Sequence, residues 1–330
     1  MIFTPSYIEL FASGEFHRRM ARLEAMLESC TVCPHDCGNN RVDNELARCY
    51  SGYLPIVSSY CQHFGEEPAL GGTRGVGNIF FGNCNLRCVY CQNFQISQNW
   101  KTEKKNEVTF ERLTEIMLEL QGKGVHSIGF VSPTHFVPQI VRALSMAIPC
   151  GLEIPLIYNT NAYDSVEVLR LLDGIFDIYL PDLKYSVDEF GYKYSKVKSY
   201  AEISRAAVQE MYRQVGSEVV YGDDGLVKRG LIIRHLVLPN DIASSDDTLG
   251  WIAKELDNRV TLSVMSQYYP THKALSTELL DRRIREGEYE KVLQLLDKYG
   301  FENGWVQDFE SHDYYRPDFN DRMEPFKVEV

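Results

Sequence analysis

Cys84, Cys88 and Cys91 stand in the spacing C-x3-C-x2-C, with Tyr90 immediately before the last. Three thiolates this close suit a soft metal or an iron–sulfur cluster. They are one ligand short of a closed cubane, and an open metal position is where a metal site does chemistry. A second group, Cys30, Cys33, Cys37 and Cys49, follows a helical stretch. Its C-x2-C step is a knuckle whose two sulfurs reach one metal. Pro34 and Gly38 supply the turns, and Cys49 completes a four-sulfur set for zinc or an iron–sulfur cluster. Such a site either works as an auxiliary cofactor or staples a loop-rich segment. His35 reads as a surface turn residue. Cys61 and Cys150 stand apart from both groups, and Cys150 reads as a buried small hydrophobe.

The whole chain narrows the class. It has 330 residues, 44% of them hydrophobic, and a net charge of −12. A nucleic-acid-binding domain would carry a basic stripe. The two basic runs, Lys101–Lys105 and Arg282–Arg285, are diluted by glutamates and read as solvated faces. No apolar run approaches the ~20 residues of a membrane span. Neither nucleic acid nor membrane is therefore an expected partner. The N-terminus lacks signal-peptide features, so a cytoplasmic location is expected. Nine cysteines there point to metal chemistry and not to disulfides.

The elements that must position these residues alternate. A strand at Asn78–Phe81 delivers Cys84. Further strands are predicted at 126–131, 155–159, 175–180, 231–238 and 260–265. Helices are predicted at 15–28, 109–121 with Thr109 as N-cap, 136–147, Asp164–Leu172, 187–215 with a break near Val197, 246–257 and 288–299. These make six β/α units of an α/β fold with a parallel sheet. A closed eight-unit barrel needs ~250 residues, so a partial (β/α)6 barrel over 77–270 fits better. Residues 1–76 form a cysteine-rich extension and 271–330 a C-terminal helix and tail.

Barrel chemistry sits at the C-terminal strand ends. Those ends carry Cys84, Ser132–His135, Asn159–Asn161, Asp182–Lys184, Arg234–Asn240 and Ser266–His272. Ahead of the first barrel strand, His63, Glu66 and Glu67 converge in a loop. It is either solvated or a polar wall of the site, with an acid, base or substrate ligand among them. His135, His235 and His272 read first as hydrogen-bonded structural residues. Tyr185, Tyr268 and Tyr269 are core residues or pocket walls.

Several motifs then agree along nearly the whole chain: the cysteine group Cys30–Cys49, His63–Pro68 (HFGEEP), Asn83–Asn93 (NCNLRCVYCQN) and the tail GWVQDFESHDYYRPDF from Gly304. Together they resemble the pyruvate formate-lyase activating enzyme-like branch of the radical S-adenosylmethionine (SAM) superfamily. The resemblance implies a 4Fe–4S cluster on Cys84, Cys88 and Cys91, whose fourth iron binds SAM. Reductive cleavage of SAM would yield a 5′-deoxyadenosyl radical that takes hydrogen from a substrate. Tyr90 would pack near the adenine. Where the family has Gly-Gly-Glu, this chain has Ser132-Pro133-Thr134, so Ser132 or Thr134 would replace the glutamate. Asn159, Thr160, Asp182, Lys184 and Arg234 would hold SAM, partly through a monovalent cation. His63, Glu66, Glu67, His135 and Tyr268 are the candidate substrate contacts. The implied partners are a reductant such as flavodoxin or ferredoxin, and a small-molecule, peptide or glycyl radical enzyme substrate. The alternative from another class is a two-cluster electron carrier or metal-stapled binding protein without SAM chemistry.

Overall fold

The computed structural model describes residues 3–313 and 316–326. In chain order the main elements are α1 (Ser6–Ala12), α2 (Glu15–Ala25), β1 (Val57–His63), β2 (Val76–Phe81), α3 (Phe110–Gly122), β3 (Ile128–Val131), α4 (Val137–Ala147), β4 (Leu156–Thr160) and α5 (Val166–Leu171). They continue with β5 (Ile178–Pro181), α6 (Asp188–Ser195), α7 (Tyr200–Val215), β6 (Val220–Tyr221), β7 (Val227–Leu236), α8 (Ser245–Glu255), β8 (Thr261–Met265), α9 (Glu286–Tyr299) and β9 (Gly304–Val306). The sheet runs β1-β2-β3-β4-β5-β7-β8-β9, with β6 paired to β7. From β2 to β9 the order is parallel, and β1 pairs antiparallel with β2. All six expected barrel strands are present, in a partial barrel.

Strand alternation sorts this sheet into two faces. Ile79, Phe81, Phe130, Tyr158, Tyr179, Leu231 and Ile233 pack under the helices in the main core. Val76, Ile157, Ile178 and Ile232 fill the inner face near the strand starts. Two residues further on, or a little beyond, the same face turns polar and presents Asn159, Arg234 and Ser263 to a cavity. A hydrophobic floor and a polar mouth thus follow from one period-two pattern.

Helix boundaries follow local chemistry. Thr109 caps α3, its hydroxyl accepting from the Arg112 N–H at 3.2 Å. Gly300, in the left-handed region at φ 72°, ends α9. The predicted long helix at 187–215 breaks between α6 and α7. Asp164 does not cap α5, whose N-cap is Ser165. Instead it is buried, and Tyr158, Thr160 and Thr134 donate hydroxyls to it at 2.8, 2.6 and 2.8 Å. Cys150 is exposed, in the turn after α4, and not buried.

Two strands depart from the sequence reading. The segment expected as a loop before the first barrel strand contains β1, so His63 sits at a strand end. The tail adds β9, which pairs with β8 and brings Trp305 opposite Ser263.

Gly304 has φ 134°, and a Cβ there would overlap the Leu262 backbone. Gly304→Ala should cost roughly 1–3 kcal/mol and detach β9. A lowered thermal midpoint with faster amide exchange at Trp305 and Val306 checks this.

Candidate functional site

The loop after β2 is held from every side. Gly82 carries no Cβ because one would overlap Ile56 and crowd Ser58. Asn83 takes φ 66° and donates its side-chain amide to the Tyr50 carbonyl at 3.0 Å. The Arg87 and Val89 N–H groups donate to Ser195 and Tyr194 carbonyls at the end of α6, at 3.0 and 2.8 Å. Asn85 accepts from the Asn161 amide at 2.8 Å and donates to the Tyr163 carbonyl at 2.9 Å.

This scaffold turns three sulfurs into one cavity of about 470 Å³. Burial pushes the Cys84 and Cys88 thiols up, and burial with the nearby Cys88 pushes Cys91 up to about 12. Burial favours the protonated thiols, and a metal bound here would offset that cost. Each sulfur also has a donor. Cys84 accepts from the Leu86 N–H at 3.4 Å and the Asn161 amide at 3.6 Å. Cys88 lies 3.0 Å from the Ser195 hydroxyl and Cys91 3.2 Å from the Ser97 hydroxyl. Donors aimed at sulfur stabilise thiolate charge and tune a cluster. The donor set therefore fits a cluster held by three cysteines with one position left open. Among the described residues, no three His, Cys, Asp or Glu side chains converge as ligands of a single bare ion.

Around the sulfurs, the cavity wall carries Tyr90, Ser132, Asn159, Thr160, Asp182, Lys184 and Arg234 from the expected cofactor set. The Tyr90 hydroxyl is 2.7 Å from that of Tyr185, which lies behind it. Ser132 holds φ 55°, sparsely populated for a residue with a Cβ. The Lys184 ammonium donates to Asp182 at 2.7 Å. Burial works against that charge, but Asp182 outweighs it and holds the lysine pKa above its ordinary value.

Thr134 is 1% exposed and spends its hydroxyl on Asp164, so it does not reach the cavity. His135 is equally buried, with Nε2 3.0 Å from the Gly82 carbonyl. Burial drives its pKa down to about 3, so the ring stays neutral. Tyr268 turns its hydroxyl to the Leu280 carbonyl at 2.6 Å. None of these three lines the cavity. His63, Glu66 and Glu67 do.

Arg234 does not stand free for a ligand. Its Nε and Nη2 donate to Glu67 at 2.8 and 2.9 Å, and Nη2 donates to Glu66 as well. Glu66 also accepts from Asn78 at 2.7 Å. Burial would raise the Glu66 carboxyl, but Arg234 overcomes it and the net shift is downward.

The second cysteine group does not line the cavity. Cys30, Cys33 and Cys49 are buried and Cys37 is exposed. Burial pushes Cys33 up, and the neighbouring sulfurs of Cys49, Cys30 and Cys37 push the same way. This knot packs behind the cysteine loop. His35, expected as a surface turn residue, reaches the Asn85 carbonyl at 2.8 Å. Arg41, 1% exposed, donates to the His135 carbonyl at 2.6 Å and the Gly52 carbonyl at 3.0 Å.

Ser195 and Ser97 join the site without a sequence signal of their own, as partners of Cys88 and Cys91. Gln307 and Asp308 lie in the tail motif, which was a usable pointer. Tyr314 and Tyr315 of that motif lie outside the described residues.

Arg234→Ala strips the partner from two buried carboxylates and should destabilise the fold by about 3–5 kcal/mol. Glu66, with its lowered folded pKa, contributes stability above its unfolded pKa. That contribution disappears as pH falls through the folded value. Denaturant midpoints between pH 7 and pH 3 should show an acid-side slope in the native protein and a smaller one in Arg234→Ala.

Comparison with known proteins agrees with this geometry. Residues 78–222 match the Radical SAM superfamily. Uncharacterized protein MJ0674 of Methanocaldococcus jannaschii is 33% identical over 288 residues, covering 84% of this chain and 77% of the relative. Uncharacterized protein MJ0808 of the same organism is 24% identical over 264 residues, covering 74% and 71%. Among solved structures, a domain of pyruvate-formate lyase-activating enzyme from Bacteroides vulgatus aligns with TM-score 0.35 and 12% identity, over 60% of this chain and 91% of that one. TYW1 with a lysine-pyruvate adduct bound aligns with TM-score 0.40 and 13% identity, over 72% and 77%. The match over the strands and cysteine loop, with a relative of this identity and coverage, places the chain in the radical SAM superfamily.

Proposed function

We propose that this protein cleaves SAM reductively at a 4Fe–4S cluster held by Cys84, Cys88 and Cys91, and uses the product to take hydrogen from a substrate. The observation that carries this is the convergence of three sulfurs, two buried and one half-buried, each within hydrogen-bond reach of an N–H or hydroxyl, on one polar strand-end cavity. When bound, the cluster and SAM supply the one-electron chemistry. The chain's own residues bind, orient and exclude water. Lys184 presents an ammonium to a bound carboxylate. In this reading it also takes the place of a monovalent cation at Asp182. Asn159, Thr160 and Ser132 offer neutral hydrogen bonds to an amine or ribose, and Tyr90 a flat wall to a purine. Arg234 acts through its carboxylates, fixing Glu66 and Glu67 as the wall facing a substrate.

The tail supports a small-molecule or peptide substrate over a protein loop. Trp305, Gln307, Asp308, Pro317 and Phe326 of the tail line the cavity. Arg322 fastens the tail to buried Glu103 at 2.7 Å. The glycyl-radical activase reading needs the cavity mouth to admit a partner's chain, and nothing in the cavity wall favours it. The knot of Cys30, Cys33, Cys37 and Cys49 is read as a second metal site set behind the loop, iron–sulfur over zinc because no three of its sulfurs converge on a single ion. It braces that loop through His35, which bonds the Asn85 carbonyl.

Anaerobic reconstitution followed by dithionite and SAM should release 5′-deoxyadenosine and methionine. Absence of both, with iron and sulfide bound, sinks the proposal and leaves the electron-carrier reading. Cys88→Ala should abolish cleavage and lower iron while far-ultraviolet dichroism stays native. Cys33→Ala should lower metal content without removing the characteristic cluster absorbance of the barrel site. Lys184→Gln should raise KM for SAM roughly tenfold with kcat little changed, since its contact is made equally in ground and transition states.

A further inference from the structure

The three sulfurs of the cavity do not hold their hydrogen bonds on equal terms. Cys84 is met by N–H groups. Cys91 is met by the Ser97 hydroxyl, which has no other partner among the described residues. Cys88 shares its partner. The Ser195 hydroxyl stands 3.0 Å from the Cys88 sulfur and 2.8 Å from the Tyr185 hydroxyl. Tyr185 in turn donates to the Tyr90 hydroxyl at 2.7 Å. Tyr90, Tyr185 and Ser195 thus form one row of hydroxyls that ends on sulfur.

Every member of the row is held in place. Ser195 and Tyr185 are buried, and neither lines the cavity, so neither touches a ligand there. Ser195 closes α6, and its carbonyl accepts from the Arg87 N–H at 3.0 Å, one residue before Cys88. The Tyr185 ring meets those of Tyr90 and Tyr200 edge-on, at 80° and 77°. The Tyr200 hydroxyl is fixed by the Asn161 and Asp182 carbonyls, 2.9 Å from each. With the rings locked, the freedom left in the row is the direction of its hydroxyl hydrogens.

Each hydroxyl has one hydrogen to give and two lone pairs to accept with. While Tyr185 gives its hydrogen to Tyr90, its oxygen is open to the hydrogen of Ser195. A sulfur that ligates iron only accepts. Two acceptors therefore compete for the single Ser195 hydrogen, and what Tyr185 takes is lost to Cys88. Hydrogen bonds to cluster sulfurs favour the more negative, reduced cluster and raise its potential. We infer that Ser195 tunes the proposed cluster through Cys88, and that Tyr185 is a positioning residue that draws this hydrogen bond away and keeps the cluster the stronger reductant. The inference rests on the proposed cluster at Cys84, Cys88 and Cys91. One electron enters the cluster on reduction, and no covalent bond in the row forms or breaks.

The test is a dithionite titration of the reconstituted full chain without SAM, followed by the electron paramagnetic resonance signal that Cys88→Ala lacks. Ser195→Ala should lower the midpoint by about 59 mV, a tenfold change in the ratio of oxidised to reduced cluster. Tyr185→Phe should raise it, changing the same ratio about threefold in the opposite direction. The double variant Tyr185→Phe, Ser195→Ala should match Ser195→Ala alone, because Tyr185 acts only through Ser195. Loosened packing that admits water would move both single variants the same way. Tyr90→Phe keeps the ring but removes the acceptor of the Tyr185 hydrogen, so it should also raise the midpoint. It carries the test where Tyr185→Phe does not fold. A native midpoint in Ser195→Ala, or tyrosine variants that lower the midpoint or leave it unchanged, overturns the inference. A native protein with no signal dependent on Cys88 overturns the cluster reading itself, and this inference with it.

Discussion

The cavity depends on one buried ion cluster. Arg234 projects from β7 into the barrel mouth, where an unpaired guanidinium would be costly to bury. Glu66 and Glu67 come from the segment between β1 and β2, far away in the chain, and satisfy it. Their own burial is tolerable only because Arg234 and Asn78 are there. The desolvation cost of such a group is recovered through geometry, here a bidentate fork whose Nη2 a second carboxylate shares. The consequence is positional: the segment after β1 becomes a fixed wall of the cavity. The sheet's first and fifth parallel strands are tied across the site.

The cysteine loop shows the same logic with weaker bonds. No regular element holds residues 82–93, yet most of them are buried. Their backbone groups are satisfied from β1, from the end of α6, and from the cysteine knot through His35. Buried irregular backbone requires such partners. Rigidity of this kind suits a site whose three ligands must stay in place while a fourth position exchanges its occupant. The cysteine knot behind the loop braces it through His35.

Much of this was legible in the sequence. Six strands and most helices follow from apolar periodicity and caps. The two cysteine groups declare themselves by ligand type and spacing alone. Strand ends carry Asn159, Asp182, Lys184 and Arg234 because parallel barrels place their chemistry there. What misled was local. Asp164 has the composition of a helix cap but is drawn inward by three hydroxyls on β4 and the following turns. The segment before β2 looks like a polar loop, yet half of it pairs as β1. Thr134, His135 and Tyr268 carry suitable groups, but each spends them on neighbours behind the wall.

The sequence by itself therefore determined the six barrel strands, their parallel arrangement and the family, and it singled out the cysteines as candidate ligands. These depend on residue type and on spacing within one local element. The tertiary structure decided which polar groups are free. It turned Arg234 from a lone cation into the centre of a clamp, and placed the tail over the cavity. It also joined Tyr90, Tyr185 and Ser195 into one row of hydroxyls that ends on Cys88. Those outcomes rest on contacts between residues tens to hundreds of positions apart. Neither composition nor periodicity encodes such contacts, because they arise only when hydrogen-bonding demand is settled in three dimensions.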